Sequence, residues 1–112
     1  MNFLVEEVSG INVVRIAIPR ATADVSKEFK SVLFDLIDNK NVQKVIVDFG
    51  KVDFADSSFL GTLVSGLKKC SANKGDIKIL SLQPPVRAMF ELTRLYKVFE
   101  IFDNEQDAIK SF

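Results

Sequence analysis

The sequence predicts an α/β fold: a mixed β-sheet that opens with an antiparallel hairpin and continues in β-α units, with helices packed against it. From residue 24 onward, extended apolar runs alternate with amphipathic stretches, the pattern that builds parallel strands joined by crossover helices. The run Lys44 to Phe49 is nearly continuous β-branched sequence, as expected of a central strand covered on both faces. The first two extended segments are separated by Ser9-Gly10, a break suited to a hairpin.

In order, Leu4 to Glu7 and Asn12 to Ile18 form the expected hairpin, and Pro19 ends its second strand. From Asp24 to Asp38 the apolar residues Val25, Phe29, Val32, Leu33, Leu36 and Ile37 share one face of a helical period. Asp38-Asn39-Lys40-Asn41 closes that helix as a turn. After the Lys44 to Phe49 strand, a second helix is expected from Ser57 to Ala72, with Leu60, Leu63, Val64, Leu67 and Ser71 as its inner stripe. Asn73-Lys74-Gly75 supplies its stop. Ile77 to Leu82 reads as a strand. Pro84-Pro85 opens a helix over Val86 to Leu95, with Val86, Met89, Phe90 and Thr93 on one face. Val98 to Phe102 is the last strand, and Asn104-Glu105-Gln106-Asp107 begins a short helix ending at Phe112.

A chain of 112 residues, 47% hydrophobic and with ten Phe, suits one domain over residues 1–112; at this size about two-thirds of the unfolded surface is buried. No apolar stretch approaches the roughly 20 residues of a membrane span, and the N-terminus lacks the basic and apolar regions of a secretory signal. The single cysteine, Cys70, cannot form an internal disulfide, so a reducing, cytoplasmic setting is expected. Cys70 itself is expected at a helix surface or boundary, and Phe90 and Tyr96 in the core or at its rim. Lys+Arg and Asp+Glu are both 15, which leaves no overall basic field for nucleic acid. The absence of histidine removes His-based acid–base chemistry, and with one cysteine a structural zinc site has essentially no ligands.

The chemistry-bearing stretch is Asp56-Ser57-Ser58-Phe59-Leu60-Gly61, at the expected junction of strand, short loop and helix. A helix N-terminus offers unpaired N–H groups and partial positive charge, and Asp or Ser there is a favoured cap. A catalytic serine needs a base; no histidine exists, and Lys68 and Lys69 lie ~16 Å along the helix. An Asp-Ser pair at a helix start echoes the prosthetic-group site of acyl carrier proteins, which are helical and strongly acidic, unlike this neutral, strand-rich chain. Capping and reversible phosphorylation remain open.

The segment from Val47 to Leu63, which reads Val47-Asp48-Phe49-Gly50-Lys51-Val52-Asp53-Phe54-Ala55 and then Asp56-Ser57-Ser58-Phe59-Leu60-Gly61-Thr62-Leu63, resembles the phosphorylation region of anti-sigma factor antagonists of the STAS domain family. Its usual form is an apolar strand, a short loop and Asp-Ser-(Ser/Thr/Ala)-Gly-Leu-Gly. Val86 to Leu95 with Val98 to Phe102 resembles the family's last helix and strand, Glu105 to Ile109 its terminal helix, and the element order agrees. The resemblance implies a STAS-like mixed sheet and a cytoplasmic, non-enzymatic phosphoprotein acting in transcription regulation by partner switching. It makes Ser57 the phosphate acceptor, with Asp56 and Ser58 supporting it. The implied partners are an anti-sigma factor that is also a serine kinase, bound when Ser57 is unphosphorylated and released on phosphorylation, and a resetting serine phosphatase. The nucleotide belongs to the kinase, so no cofactor is implied for this chain. Asp53, Phe54, Phe59 and Thr62 are the expected docking surface, with Thr22 in the preceding loop. A phosphorylation-independent scaffold or accessory subunit of a transport or stress-signalling complex is the alternative.

Three positions depart from the family's pattern. Phe59 replaces a usual glycine, either folding into the core or standing beside Ser57 as an aromatic anchor. Pro19-Arg20-Ala21-Thr22 replaces Gly-x-Leu-Asp, so Thr22 lacks an aspartate's charge. Arg94 replaces a common glycine.

Overall fold

The computed structural model describes residues 1–112. Strand β1 (Phe3–Val8) turns at Ser9-Gly10 into β2 (Ile11–Ile16). Both turn residues have positive φ, 53° at Ser9 and 79° at Gly10, as tight hairpin turns require. A two-residue strand β3 (Arg20–Ala21) precedes helix α1 (Ala23–Phe34), which continues as a π-helical turn over Asp35–Asn39. Then come β4 (Lys44–Asp48), a second two-residue strand β5 (Phe54–Ala55) and helix α2 (Ser57–Ala72). Strand β6 (Asp76–Leu80), helix α3 (Pro84–Leu92), a 3-10 turn (Leu95–Lys97), strand β7 (Ile101–Phe102) and helix α4 (Glu105–Lys110) complete the chain.

The main sheet has strand order β1-β2-β4-β6-β7. β1 and β2 are antiparallel; β2, β4, β6 and β7 pair in parallel. The expected mixed sheet is therefore observed. Strand alternation divides its side chains between two faces. Val14, Ile16, Val45, Val47, Ile77 and Ile79 join the main core with residues of α1, α2 and α3. Ile11, Val13, Ile46 and Leu80 point the other way and are covered by Ala108 and Ile109 of α4, with Phe112.

Two cations from the sheet tie α4 in place. Arg15 on β2 donates to Glu105 at 2.8 and 3.3 Å, to Asp48 at 2.9 Å and to Glu6 at 3.0 Å. Those bonds hold the Glu105 carboxyl below its ordinary range. Lys78, buried on β6, donates to the carbonyl and hydroxyl of Ser111 at 3.0 and 2.8 Å. A buried ammonium requires such partners.

Several local expectations are corrected. The second strand ends at Ile16 rather than Ile18, because the chain leaves the hairpin to form β3. The third helix is Pro84–Leu92 and stops before Leu95, since Arg94 takes a left-handed conformation at φ 59°. The last strand shortens to Ile101–Phe102 because the amides of Val98 and Phe99 turn back to Leu95. The inner stripe of α2 is rotated from the expected one: Phe59, Leu60, Leu63, Gly66 and Cys70 are buried, and Ser71 is exposed. Cys70 is a core residue, not a boundary one, and burial followed by the nearby Asp76 charge pushes its thiol up to about 11. Thr93 is exposed, as is Tyr96.

Candidate functional site

The site is built where two loops meet. β3 and β5 pair in parallel, setting Arg20 opposite Phe54 and Ala21 opposite Ala55. The Pro19 carbonyl accepts from the amides of Asp53 and Phe54 at 2.9 and 3.3 Å, and the Ala21 carbonyl accepts from the Asp56 amide at 3.2 Å. This miniature ladder makes α1 and α2 start side by side.

Asp56 joins the two helix starts. One carboxylate oxygen accepts from the Phe59 amide at 2.9 Å, capping α2; the other accepts from the Ala23 amide at 2.9 Å, at the first residue of α1. Each bond satisfies an N–H that its helix cannot. Thr22 stands at the cap position of α1 without a side-chain cap bond; its hydroxyl binds the Asp24 carboxylate instead.

Since Asp56 is the cap, the serines are spared that task. Ser57 and Ser58, the first two residues of α2, are exposed, and their hydroxyls make no hydrogen bond within the chain. Ser58 does not cap the helix; its carbonyl accepts from the Thr62 hydroxyl at 3.3 Å. Thr62 lies half-buried one turn on.

Phe54 is 42% exposed, and the Arg20 guanidinium lies 4.4 Å from its ring centroid. Asp53 is exposed beside it. Phe59 is fully buried, stacked on Phe29 at 4.5 Å and edge-on to Phe49 at 6.3 Å. The core reading of Phe59 therefore holds, and its place in an exposed docking surface is withdrawn; the ring fills space between α1, α2 and the sheet. Asp53, Phe54, Asp56, Ser57 and Ser58 thus gather with Thr22 at one end of the molecule, and Thr62 continues the surface along α2.

Residue-level reading of the sequence missed Arg20. It is 37 positions from Ser57 in the chain, and a two-residue strand pair leaves no period to detect. The surface at Ser57 is not a cavity. The largest cleft, about 410 Å³, is lined by residues 96–102 at the β7 edge. The arrangement at Ser57 offers a free hydroxyl on a fixed helix start, open to a partner macromolecule.

Comparison with known proteins bears on the family and the fold. The profile of the STAS domain family matches residues 2–108. A Thermotoga maritima protein with the provisional description anti-sigma factor antagonist is 30% identical over 82 residues, 73% of each chain. The anti-sigma F factor antagonist of Paenibacillus polymyxa is 25% identical over 75 residues, 67% of this chain and 64% of that relative. A crystal structure from Thermotoga maritima with the same provisional description is 26% identical, with a TM-score of 0.86, covering 97% of this chain and 92% of the other. The phosphorylated form of the Bacillus cell-fate determinant SpoIIAA shares the fold, with a TM-score of 0.77 at 22% identity, covering 97% of both chains. With its profile matched almost end to end and its mixed sheet shared, this chain belongs to the STAS domain family.

Proposed function

We propose that this chain is an anti-sigma factor antagonist, a single cytoplasmic module switched by phosphorylation of Ser57. The supporting observation is the free, exposed Ser57 hydroxyl on the first residue of α2, left available because Asp56 does the capping. A partner kinase transfers the γ-phosphoryl group of ATP to Ser57 Oγ, and the hydroxyl proton leaves to a base on the kinase. Unphosphorylated, the surface of Asp53, Phe54, Ser57, Ser58 and Thr62 binds the anti-sigma factor; phosphorylated, it releases it until a phosphatase restores the hydroxyl. This chain acts as substrate and ligand, not as an enzyme, and holds no cofactor of its own.

Charge arithmetic favours a blocking switch over a refolding one. Phosphate adds about −1.5 to −2 charges, and the helix N-terminus offsets about 0.3–1 kcal/mol. Asp53 and Asp56 add repulsion. A partner that must desolvate this charge loses an interfacial contact worth about 2–5 kcal/mol, more than tenfold in affinity. Asp24, held on the Thr22 hydroxyl, presents beside α1 the negative charge that Thr22 lacks.

Incubation with ATP and the anti-sigma kinases of the source organism, followed by mass spectrometry, is the test. The expected result is a single phosphate on Ser57, lost in Ser57→Ala, and at least tenfold weaker kinase binding by Ser57→Asp. Absence of label from every kinase, together with unaltered binding by Ser57→Asp, would overturn the reading in favour of a phosphorylation-independent scaffold.

A further inference from the structure

Arg20 is a cation that the β3–β5 pairing brings to this site. It has no carboxylate partner: its guanidinium rests on the exposed Phe54 ring at 4.4 Å. Arg15, by contrast, contacts three carboxylates, and Arg87 pairs with Asp103. The β3–β5 pairing fixes where Arg20 can reach. The Ala21 carbonyl, one residue after Arg20, accepts from the amide of Asp56, one residue before Ser57. Strand spacing and rise then put the Arg20 and Ser57 backbones about 11 Å apart, within the combined reach of an arginine and a phosphoserine.

We propose that Arg20 reads the phosphorylation state of Ser57: it stacks on Phe54 while the serine is free, and moves from that ring to the phosphate once the serine is modified. This rests on the phosphorylation of Ser57 proposed above. A guanidinium on an exposed ring is held weakly. A dianionic phosphate offers it paired, charge-assisted hydrogen bonds, which are stronger and match its planar fork. The other charges nearby do not compete for it. Asp56 is committed to two backbone amides and Asp24 to Thr22, while Asp53 repels the phosphate and is not bonded to Arg20. The move needs no backbone change, because β3, β5 and both helix starts stay tied through Asp56. Its consequence is local: Phe54 loses its cover and Arg20 its availability, so the partner loses an aromatic and arginine pair of the kind that anchors interfaces. Arg20 binds the phosphate once it is in place and takes no part in its transfer.

The test uses the full chain with phosphoserine installed at position 57 during translation, so that no kinase is needed. Phosphorus NMR titration reads the second phosphate pKa, and proton–nitrogen spectra read the Arg20 Nε–H. The expected result is a downfield shift of that Nε–H on phosphorylation, and an increase of about 0.5 in the phosphate pKa in Arg20→Gln, roughly threefold in proton affinity. Arg20→Lys should recover part of it. An Nε–H unmoved by phosphorylation, or the same phosphate titration with and without Arg20, would overturn the proposal. If Arg20→Gln fails to fold, the Nε–H shift in the unsubstituted chain decides. Failure of kinases to label Ser57, together with unaltered binding by Ser57→Asp, would sink the switch without altering this measurement, and an indifferent Arg20 would leave the switch standing.

Discussion

Phe59 illustrates how a residue beside a functional serine can belong wholly to the core. It follows Ser57 and Ser58 directly, yet its ring packs among Phe3, Phe29 and Phe49. Its amide donates to Asp56, so backbone and side chain anchor the α2 start in different ways. Restoring the family's glycine would remove the ring and weaken the helix. Large-to-small aromatic substitution costs about 3–5 kcal/mol, and glycine in a helix about 1 kcal/mol more. The expected outcome for Phe59→Gly is therefore a loss of about 4–6 kcal/mol in urea unfolding, enough to leave a marginal domain largely unfolded. A variant with an unchanged urea midpoint would show that the ring is dispensable. The residues before Phe59 point outward, and their identity affects contact rather than stability.

Within α2 two glycines meet opposite surroundings. A Cβ at Gly66 would lie 2.3 Å from Leu33 Cδ2 and 3.1 Å from Leu33 Cγ, where α1 packs against α2. A Cβ at Gly61 would meet nothing within 4 Å. Gly66 is therefore a packing residue that lets the two helices approach, whereas Gly61 has no steric reason inside the chain. Gly61→Ala should stabilise the domain by about 1 kcal/mol through helix propensity alone. Gly66→Ala should destabilise it by about 1 kcal/mol, because overpacking of about 1–3 kcal/mol exceeds the same propensity gain. Paired urea titrations check both, and equal signs would refute the contrast. The close approach at Gly66 also fixes the rotation of α2, turning Phe59 and Cys70 inward and Ser57 and Ser58 outward. The apolar period locates that helix along the chain; its phase is set by what α1 and β6 present to it.

Stability of the whole molecule is linked to pH through Cys70. Its thiol is pushed up to about 11 from an ordinary value of 9.0, by burial first and by Asp76 second. As pH rises the unfolded chain loses this proton before the folded one does. The contribution is thus complete below about pH 9 and fades between about pH 9 and 11, by roughly 1–3 kcal/mol. The expected result is a steeper fall of the urea midpoint across that interval in the natural chain than in Cys70→Ala. Parallel slopes would place the titration elsewhere. The same burial makes Cys70 unreactive toward alkylating reagents in the folded state. Around this core, the two sheet faces have unequal covers: three helices on one, and on the other α4, tied down by Arg15 and Lys78.

By itself the sequence determined the order of the main-sheet strands and the α-helices, the limits of α2 and the placing of Asp56-Ser57-Ser58 at a helix mouth. These are local properties: apolar period, turn residues and capping preferences act over one or two turns. Only the tertiary structure decided which residue caps, where Phe59 points, that Cys70 is buried and that Arg20 lies on Phe54. Each depends on segments far apart in the chain, above all the two-residue β3–β5 ladder, too short to leave a pattern. That ladder brings the starts of α1 and α2 under one carboxylate, and the shared cap frees the Ser57 hydroxyl.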